Sequence, residues 1–96
     1  MHANMRYYSG AGAKELFDLL DKRKSDVEAA MRKVPKFVSY TLISTGSGGV
    51  SVTVCHDKAG TDESVKVASA WVKENAGGLK VNPPNVSEGP VILNLK

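Results

Sequence analysis

The sequence is poor in cysteine, with Cys55 as the only thiol among 96 residues. A single cysteine excludes a framework of internal disulfides, and a chain of this length buries a core without such cross-links. No apolar run approaches the roughly 20 residues of a membrane-spanning helix. The first residues also lack the basic and apolar regions of a secretory signal. The sequence therefore predicts a single domain over residues 1–96, located in the cytoplasm, with no membrane partner.

A large excess of charge of one sign is also lacking, since 13 basic and 10 acidic residues leave a net charge of +3. The two basic clusters, at 22–24 and 32–36, lie within or just beyond a predicted helix and alternate with acidic residues such as Asp21 and Glu28. Alternating charges are typical of a solvent-exposed helix face. We therefore expect no nucleic-acid partner.

Ligand motifs are scarce as well. The histidines, His2 and His56, and the single Cys55 have no companions at metal-binding spacing, so we predict no metal site. The glycines at 10–12 precede a lysine but lack the spacing and the Ser or Thr of a phosphate-binding loop. The sequence predicts no bound cofactor.

What the sequence does contain is a strong hairpin signal. Two runs of β-branched and aromatic residues, 37–43 and 50–56, flank a glycine-rich segment at 46–49. Such residues fit a pleated strand, and the glycines allow the positive φ values of a short turn. This pattern predicts a β-hairpin over residues 37–56, around which the rest of the chain is organised.

Alternation along the hairpin predicts which side chains face the helices. Because valine suits a core, we expect the valines at 50, 52 and 54 to lie under the helices. The opposite, open face would carry Ser39, Thr41, Ser51, Thr53 and Cys55, flanked by Phe37 and Ile43. That face is too apolar for solvent and too polar for a core, so we expect a second subunit or a ligand to cover it.

Helices are predicted on both sides of the hairpin. Apolar residues at helical spacing predict one helix over residues 13–34, which ends before Pro35. A capping-box sequence at 25–28 leaves a second helix start open. A further helix is expected from an N-cap at Thr61 to the glycines at 77–78.

Short strands are predicted at both ends, over residues 5–9 and 91–95. The resulting order β-α-β-β-α-β is the ferredoxin-like pattern of the α+β class. It places two helices on one face of a four-stranded antiparallel sheet.

Four segments carry a resemblance to a known family: RYY at 6–8, VPKFVSYTL at 34–42, GVSVTV at 49–54 and ASAWVKEN at 68–75. They resemble dimeric α+β barrel proteins, and most closely a small branch related to the antibiotic-biosynthesis monooxygenases. This resemblance implies a homodimer in which two sheets pack face to face, with any pocket between the sheet and helices of each protomer. Lys36 stands where the family more often has glycine.

The resemblance covers proteins of several activities. Its haem-degrading members use an asparagine on the first strand, a tryptophan on the second helix and a histidine further along. Asn4 and Trp71 match the first two, but residues 78–84 contain no histidine. The resemblance therefore does not extend to haem degradation.

Candidate site residues lie on the hairpin, the first strand and the second helix. His56 ends a predicted strand at the sheet edge, where a neutral imidazole can act as a general base; a surface histidine is the alternative. Tyr40 and Trp71 are candidates for the walls of an aromatic pocket, or for core packing. Arg6, Tyr7 and Tyr8 alternate along strand one, so either set can face an anionic or phenolic ligand. The complete candidate set is His56 for catalysis and Arg6, Tyr7, Tyr8, Tyr40 and Trp71 for ligand binding.

RNA-recognition modules share the same element order and are an alternative. They stack bases on aromatic residues of the third strand, and residues 49–56 offer only the imidazole of His56. We expect instead a dimeric α+β barrel that binds a small hydrophobic or phenolic molecule, or a stress-associated protein without catalysis. The enzyme alternative is a monooxygenase-like activity without a cofactor, with His56 as the base.

Overall fold

Four strands and three helices form the chain in the computed structural model, which describes residues 1–95. They are β1 (His2–Tyr8), α1 (Ala13–Lys22), α2 (Lys24–Met31), β2 (Phe37–Ser44), β3 (Gly49–Cys55), α3 (Lys58–Asn75) and β4 (Asn85–Pro90). The strands form one antiparallel sheet in the order β2-β3-β1-β4. This confirms the ferredoxin-like α+β class.

The predicted long helix is in fact two helices, because the chain bends at Arg23. Arg23 has φ of −108° and ψ of 25°, which is not helical. The interruption of the apolar stripe explains the bend. Positions 23 and 24 are both basic, so no apolar side chain there packs against the core. Leu20 before the bend and Val27 after it are both buried. The prediction of one continuous helix over residues 13–34 was therefore wrong.

α3 begins earlier than predicted. Asp57 is its N-cap, and the Asp57 carboxylate accepts a hydrogen bond of 2.9 Å from the backbone N–H of Gly60. Thr61, the predicted N-cap, lies inside the helix and is 1% exposed. Within residues 1–95, no helix combines the length and apolar character needed to cross a bilayer.

The terminal strands also differ from their predicted positions. β1 begins at His2 because it is a central strand that pairs with both β3 and β4. β4 spans Asn85–Pro90, whereas the predicted strand at 91–95 forms no strand. The pattern misled because β4 is a largely exposed edge strand of polar composition, while the apolar residues follow it.

The faces of β3 are the reverse of those predicted, whereas Ser39, Thr41 and Ile43 of β2 lie on the open face as predicted. Small side chains of β3 face the helices and are buried, while its valines are half-buried on the open face. Close approach of the helices is the reason: a Cβ added to Gly60 of α3 would lie 2.7 Å from the Cβ of Cys55. One added to Gly49 would overlap the ring of Phe17. Only small residues of β3 fit beneath α1 and α3.

The open face is consequently more apolar than predicted. The register pairs Val50, Val52 and Val54 with alternate residues of β1 on one side and of β2 on the other. Phe37, by contrast, packs against the core. We define the open face by its central apolar residues: Ala3, Met5, Tyr7, Ile43, Val50, Val52 and Val54.

Candidate functional site

A narrow cavity, here called the central cavity, lies between the helices and the helix-facing side of the sheet. Its volume is about 20 Å³, which is room for about one water molecule. Most of its walls are aliphatic side chains of the core. The polar and aromatic wall residues are Arg6, Tyr8, Phe17, Tyr40, Ser51 and Trp71.

The structure brings together four of the six predicted site residues. Arg6, Tyr8, Tyr40 and Trp71 all line the central cavity, although they come from β1, β2 and α3. Tyr7 lies on the open face, paired with Val50, and is 47% exposed. Strand alternation thus decides which set of strand-one residues faces the cavity.

His56 lies away from this cluster. It follows the last residue of β3, is exposed, and does not line the central cavity. Its backbone N–H donates to the carbonyl of Lys36 at 2.9 Å. The neighbouring Asp57 carboxylate accepts a 2.7 Å hydrogen bond from Lys36 Nζ, which lowers the pKa of Asp57.

Arg6 is the only charged residue in the cavity wall as the structure describes it. Its guanidinium carbon lies 5.5 Å from the centroid of the Tyr8 ring, within cation–π range. No carboxylate within residues 1–95 forms an ion pair with it. A half-buried cation without an acidic partner is available to an anionic or hydrogen-bond-accepting ligand.

Both tyrosines of the cavity are held in the protonated form. Burial raises the pKa of Tyr40 to about 12, although the charge of Arg6 acts in the opposite direction. Burial likewise raises the pKa of Tyr8, against the same opposing charge. At neutral pH both hydroxyls are therefore proton donors rather than bases.

The cavity wall contains neither a carboxylate nor an imidazole within the part of the chain that the structure describes. No group of three or more His, Cys, Asp or Glu side chains in residues 1–95 is placed to hold a metal ion. The groups present are a cation, two phenolic hydroxyls, the Ser51 hydroxyl and apolar surface. Such a wall binds an apolar molecule and orients it through its polar atoms.

Among the wider grooves that adjoin the central cavity, two lie on opposite sides of Tyr40 and Arg6 in its wall. The α2 groove, of about 420 Å³, lies between α2 and β2 and shares Val27, Met31, Tyr40 and Leu42 with the cavity wall. The α3 groove, of about 230 Å³, lies on the other side, between α3, β1 and residues 81–84.

Arg23 lies over the ring of the cavity residue Trp71, a contact that the sequence did not indicate. The bend between α1 and α2 places its guanidinium carbon 6.0 Å from the centroid of the Trp71 ring. Its Nε also donates to the Asp26 carboxylate at 2.7 Å. The sequence feature that could have indicated this bend was the interruption of the apolar stripe at positions 23–24.

Asn4 occupies a different position from the rest of the candidate residues. It is 4% exposed, on β1 opposite Thr53, and its Oδ1 has no hydrogen-bond partner within residues 1–95. Unlike Trp71, it does not line the central cavity. The two residues that match the haem-degrading pattern therefore do not share this cavity.

No protein-family model and no curated protein matches the sequence. Solved structures do match it over nearly its whole length. A monooxygenase from Streptomyces coelicolor, in complex with nanaomycin D, is 20% identical with a TM-score of 0.64, and the match covers 99% of this chain and 90% of that chain. A cofactor-independent oxygenase from Streptomyces nogalater is 19% identical with a TM-score of 0.56, covering 98% and 94%.

A haem-degrading protein from Mycobacterium tuberculosis, with two haems bound in its active site, is also similar. It is 16% identical with a TM-score of 0.69, and the match covers 100% of both chains. At such identities the likeness concerns the fold. The chain has the ferredoxin-like α+β fold of these monooxygenase-like and haem-degrading structures.

Proposed function

We propose that this protein is a homodimeric α+β barrel that binds a small hydrophobic or phenolic molecule in the central cavity, without catalysing its conversion. The observation that carries the proposal is the convergence of Tyr8, Tyr40 and Trp71 with an unpaired Arg6 on one cavity. An aromatic, mostly apolar wall with a few convergent polar groups is typical of small-molecule sites.

The polar groups favour a ligand that accepts hydrogen bonds. The raised pKa of Tyr40 keeps its hydroxyl protonated, and Arg6 carries only donors. A phenolic or carbonyl oxygen satisfies both, while the ring of such a ligand contacts the aromatic wall.

Binding requires the cavity to widen, because about 20 Å³ does not admit an aromatic ring. The α2 groove shares four wall residues with the cavity. An outward shift of α2, a helix of 8 residues that follows the bend at Arg23, joins the two spaces. We infer that α2 is the element that admits the ligand.

The proposed dimer rests on the open face. Val52 lies at its centre, between Met5 and Thr41 in the register, and Tyr7 and Ile43 are 47% and 46% exposed. A contiguous apolar sheet face of this kind is stabilised by a partner. A second copy of the same face, related by a two-fold axis, buries both.

A cavity-filling variant tests the proposed site. Replacing Ala68, which lines the cavity, with leucine is expected to weaken binding of 2-naphthol at least about tenfold, because the added side chain occupies the ligand volume. The ligand is titrated while the indole N–H resonance of Trp71, the single tryptophan, is followed by NMR.

The matched control is Ala70→Leu, which makes the same change at an exposed position of the same helix. It is expected to bind 2-naphthol as the unsubstituted protein does. Equal affinities of the two variants, each shown to be folded by its melting curve, would contradict the location of the site.

A cofactor-independent monooxygenase is the second candidate, favoured by the fold shared with a monooxygenase and with a cofactor-independent oxygenase. It requires a base that deprotonates the substrate. The protonated state of Tyr8 and Tyr40 gives the cavity no such base, and His56 lies outside its wall. These observations support binding over oxygenation.

Oxygen uptake distinguishes the two candidates. We expect no 2-naphthol-dependent oxygen consumption, and no difference between the unsubstituted protein and His56→Ala, because His56 does not line the cavity. An oxygen electrode measures the rate. Uptake that disappears in His56→Ala would establish the enzyme and its base.

Haem and nucleic acids receive less support as ligands. The cavity wall contains no histidine within residues 1–95 to coordinate haem iron. The central residues of the open face include no basic side chain, which a nucleic-acid surface needs for the phosphates. We also infer a cytoplasmic location from the buried free thiol of Cys55.

A further inference from the structure

The α3 groove adjoins the central cavity. The two share Arg6, Tyr8, Leu16 and Val72 in their walls. The groove lies between the second half of α3 and residues 81–84, and its volume is about 230 Å³. Arg6 therefore stands at the boundary between an apolar cavity and an opening to solvent.

The charged residues of this groove all have the same sign. Arg6 and Lys73 line it, together with the polar Ser69 and Asn82, and no Asp or Glu within residues 1–95 does so. Neither cation takes part in any of the ion pairs formed by that part of the chain. Elsewhere on the surface, by contrast, basic side chains such as Lys14 and Lys58 pair with acids on their own helix.

From this arrangement we infer that the α3 groove binds the carboxylate of an aromatic acid whose ring lies in the central cavity. The inference rests on the proposed function, since it names the chemical class of the same ligand. It adds a subsite for the carboxylate, formed by Arg6 and Lys73.

The chemistry of the two side chains favours a carboxylate. A guanidinium is planar and presents paired N–H donors that match the two oxygens of a carboxylate. The Tyr8 ring, 5.5 Å from the guanidinium carbon, limits the orientations available to Arg6. Lys73, exposed on α3, contributes a second positive charge on the solvent side.

The geometry also gives the ligand a direction. Its ring contacts Tyr40 and Trp71, which line the cavity but not the groove. The carboxylate lies at the boundary, where water can still solvate the side that faces away from Arg6. An aromatic acid therefore satisfies the cavity and the groove at once, whereas a neutral aromatic satisfies only the cavity.

Two ligands of the same shape test the inference. 2-Naphthoate and its neutral amide, 2-naphthamide, are titrated separately against the Trp71 indole resonance at low and high salt. We expect the carboxylate to bind about tenfold more tightly than the amide at low salt, as charge-assisted hydrogen bonds do. High salt should reduce that preference.

Three variants locate the subsite. Arg6→Gln is expected to abolish the preference for 2-naphthoate over 2-naphthamide, and Lys73→Gln to reduce it about threefold. Lys66→Gln, on the same helix but outside both walls, removes an equal charge and should leave the preference unchanged. The ratio of the two affinities is the informative quantity, because a purely structural effect lowers the affinity for both ligands alike.

The outcomes separate this inference from the proposed function. Equal affinity for carboxylate and amide would overturn the anionic subsite while leaving the cavity as a binding site. A preference that survives both Arg6→Gln and Lys73→Gln would place the anion elsewhere and overturn it too. Absence of a Trp71 shift with either ligand and with 2-naphthol would overturn both proposals.

Discussion

Replacing Val52 with lysine is expected to convert the proposed dimer into monomers of 10.2 kDa. Val52 lies at the centre of the open face, flanked by Met5 and Thr41 in the register. A two-fold axis places both copies of the new ammonium group in one interface, where burial of unpaired charge costs several kcal/mol. The dissociation constant should rise by more than about 1,000-fold.

Sedimentation equilibrium measures the effect on assembly. The monomer should keep its fold, because the valines of β3 point away from the helices and the core. Ala70→Lys, which adds the same charge on the exposed surface of α3, is the control and should remain dimeric. If Val52→Lys sediments as a dimer, the subunits associate through another surface.

Replacing Gly12 with alanine is expected to destabilise the fold by about 3 kcal/mol or more. Gly12 has φ of +80°, a conformation that costs other residues roughly 1–2 kcal/mol. An added Cβ would also overlap the carbonyl oxygen of Lys80 and lie 2.9 Å from the Cα of Val81. Because these are backbone atoms, relief requires the 79–84 segment to move, which adds further cost.

The hairpin turn supplies a matched control for Gly12→Ala. Gly46 has φ of +89°, and a Cβ placed there meets nothing within 4 Å. Gly46→Ala therefore loses stability only through the conformational cost of a positive φ. The difference in stability between the two variants isolates the clash with Lys80. Thermal melting should show Gly12→Ala lower by roughly 4–8 °C for each kcal/mol of difference. Equal melting temperatures would show that the 79–84 segment adjusts without cost.

The Gly12 variant has a consequence for the site as well. Residues 81–84 form one wall of the α3 groove, and the backbone N–H of Asn82 donates to the carbonyl of Ala11 at 3.1 Å. Close packing of this segment on the turn before α1 therefore sets the width of the groove. Glycine at position 12 is what allows that packing.

The hairpin, the helical stripes and their order were sufficient to predict the ferredoxin-like fold. Period-two and period-3.6 patterns report local backbone geometry, which neighbouring residues largely determine. The resemblance in four short segments indicated a fold that the solved structures share. Terminal strands were misplaced because β4 is an edge strand whose pairing with β1 is not encoded in its own residues.

Which face of β3 meets the helices was decided only by the tertiary structure. Alternation separates the valines from Ser51, Thr53 and Cys55, but it does not say which set is inside. The close approach of Gly60 to Cys55 and of Phe17 to Gly49 decided that, because it leaves room for small side chains only. Assigning the valines to the core agreed with their hydrophobicity. It was wrong because the helices approach β3 too closely for side chains of that size.

The sequence by itself determined the kinds of element and the fold class, and it supplied Arg6, Tyr8, Tyr40 and Trp71 as candidates. Their convergence on one cavity, the exclusion of Tyr7 and His56 from its wall, and the position of Arg23 over Trp71 were decided by tertiary packing. The physical reason is the distance along the chain over which each effect acts. Propensity and periodicity act within a few residues, whereas a site depends on distances between strands and helices that are set by the volumes of side chains far apart in sequence.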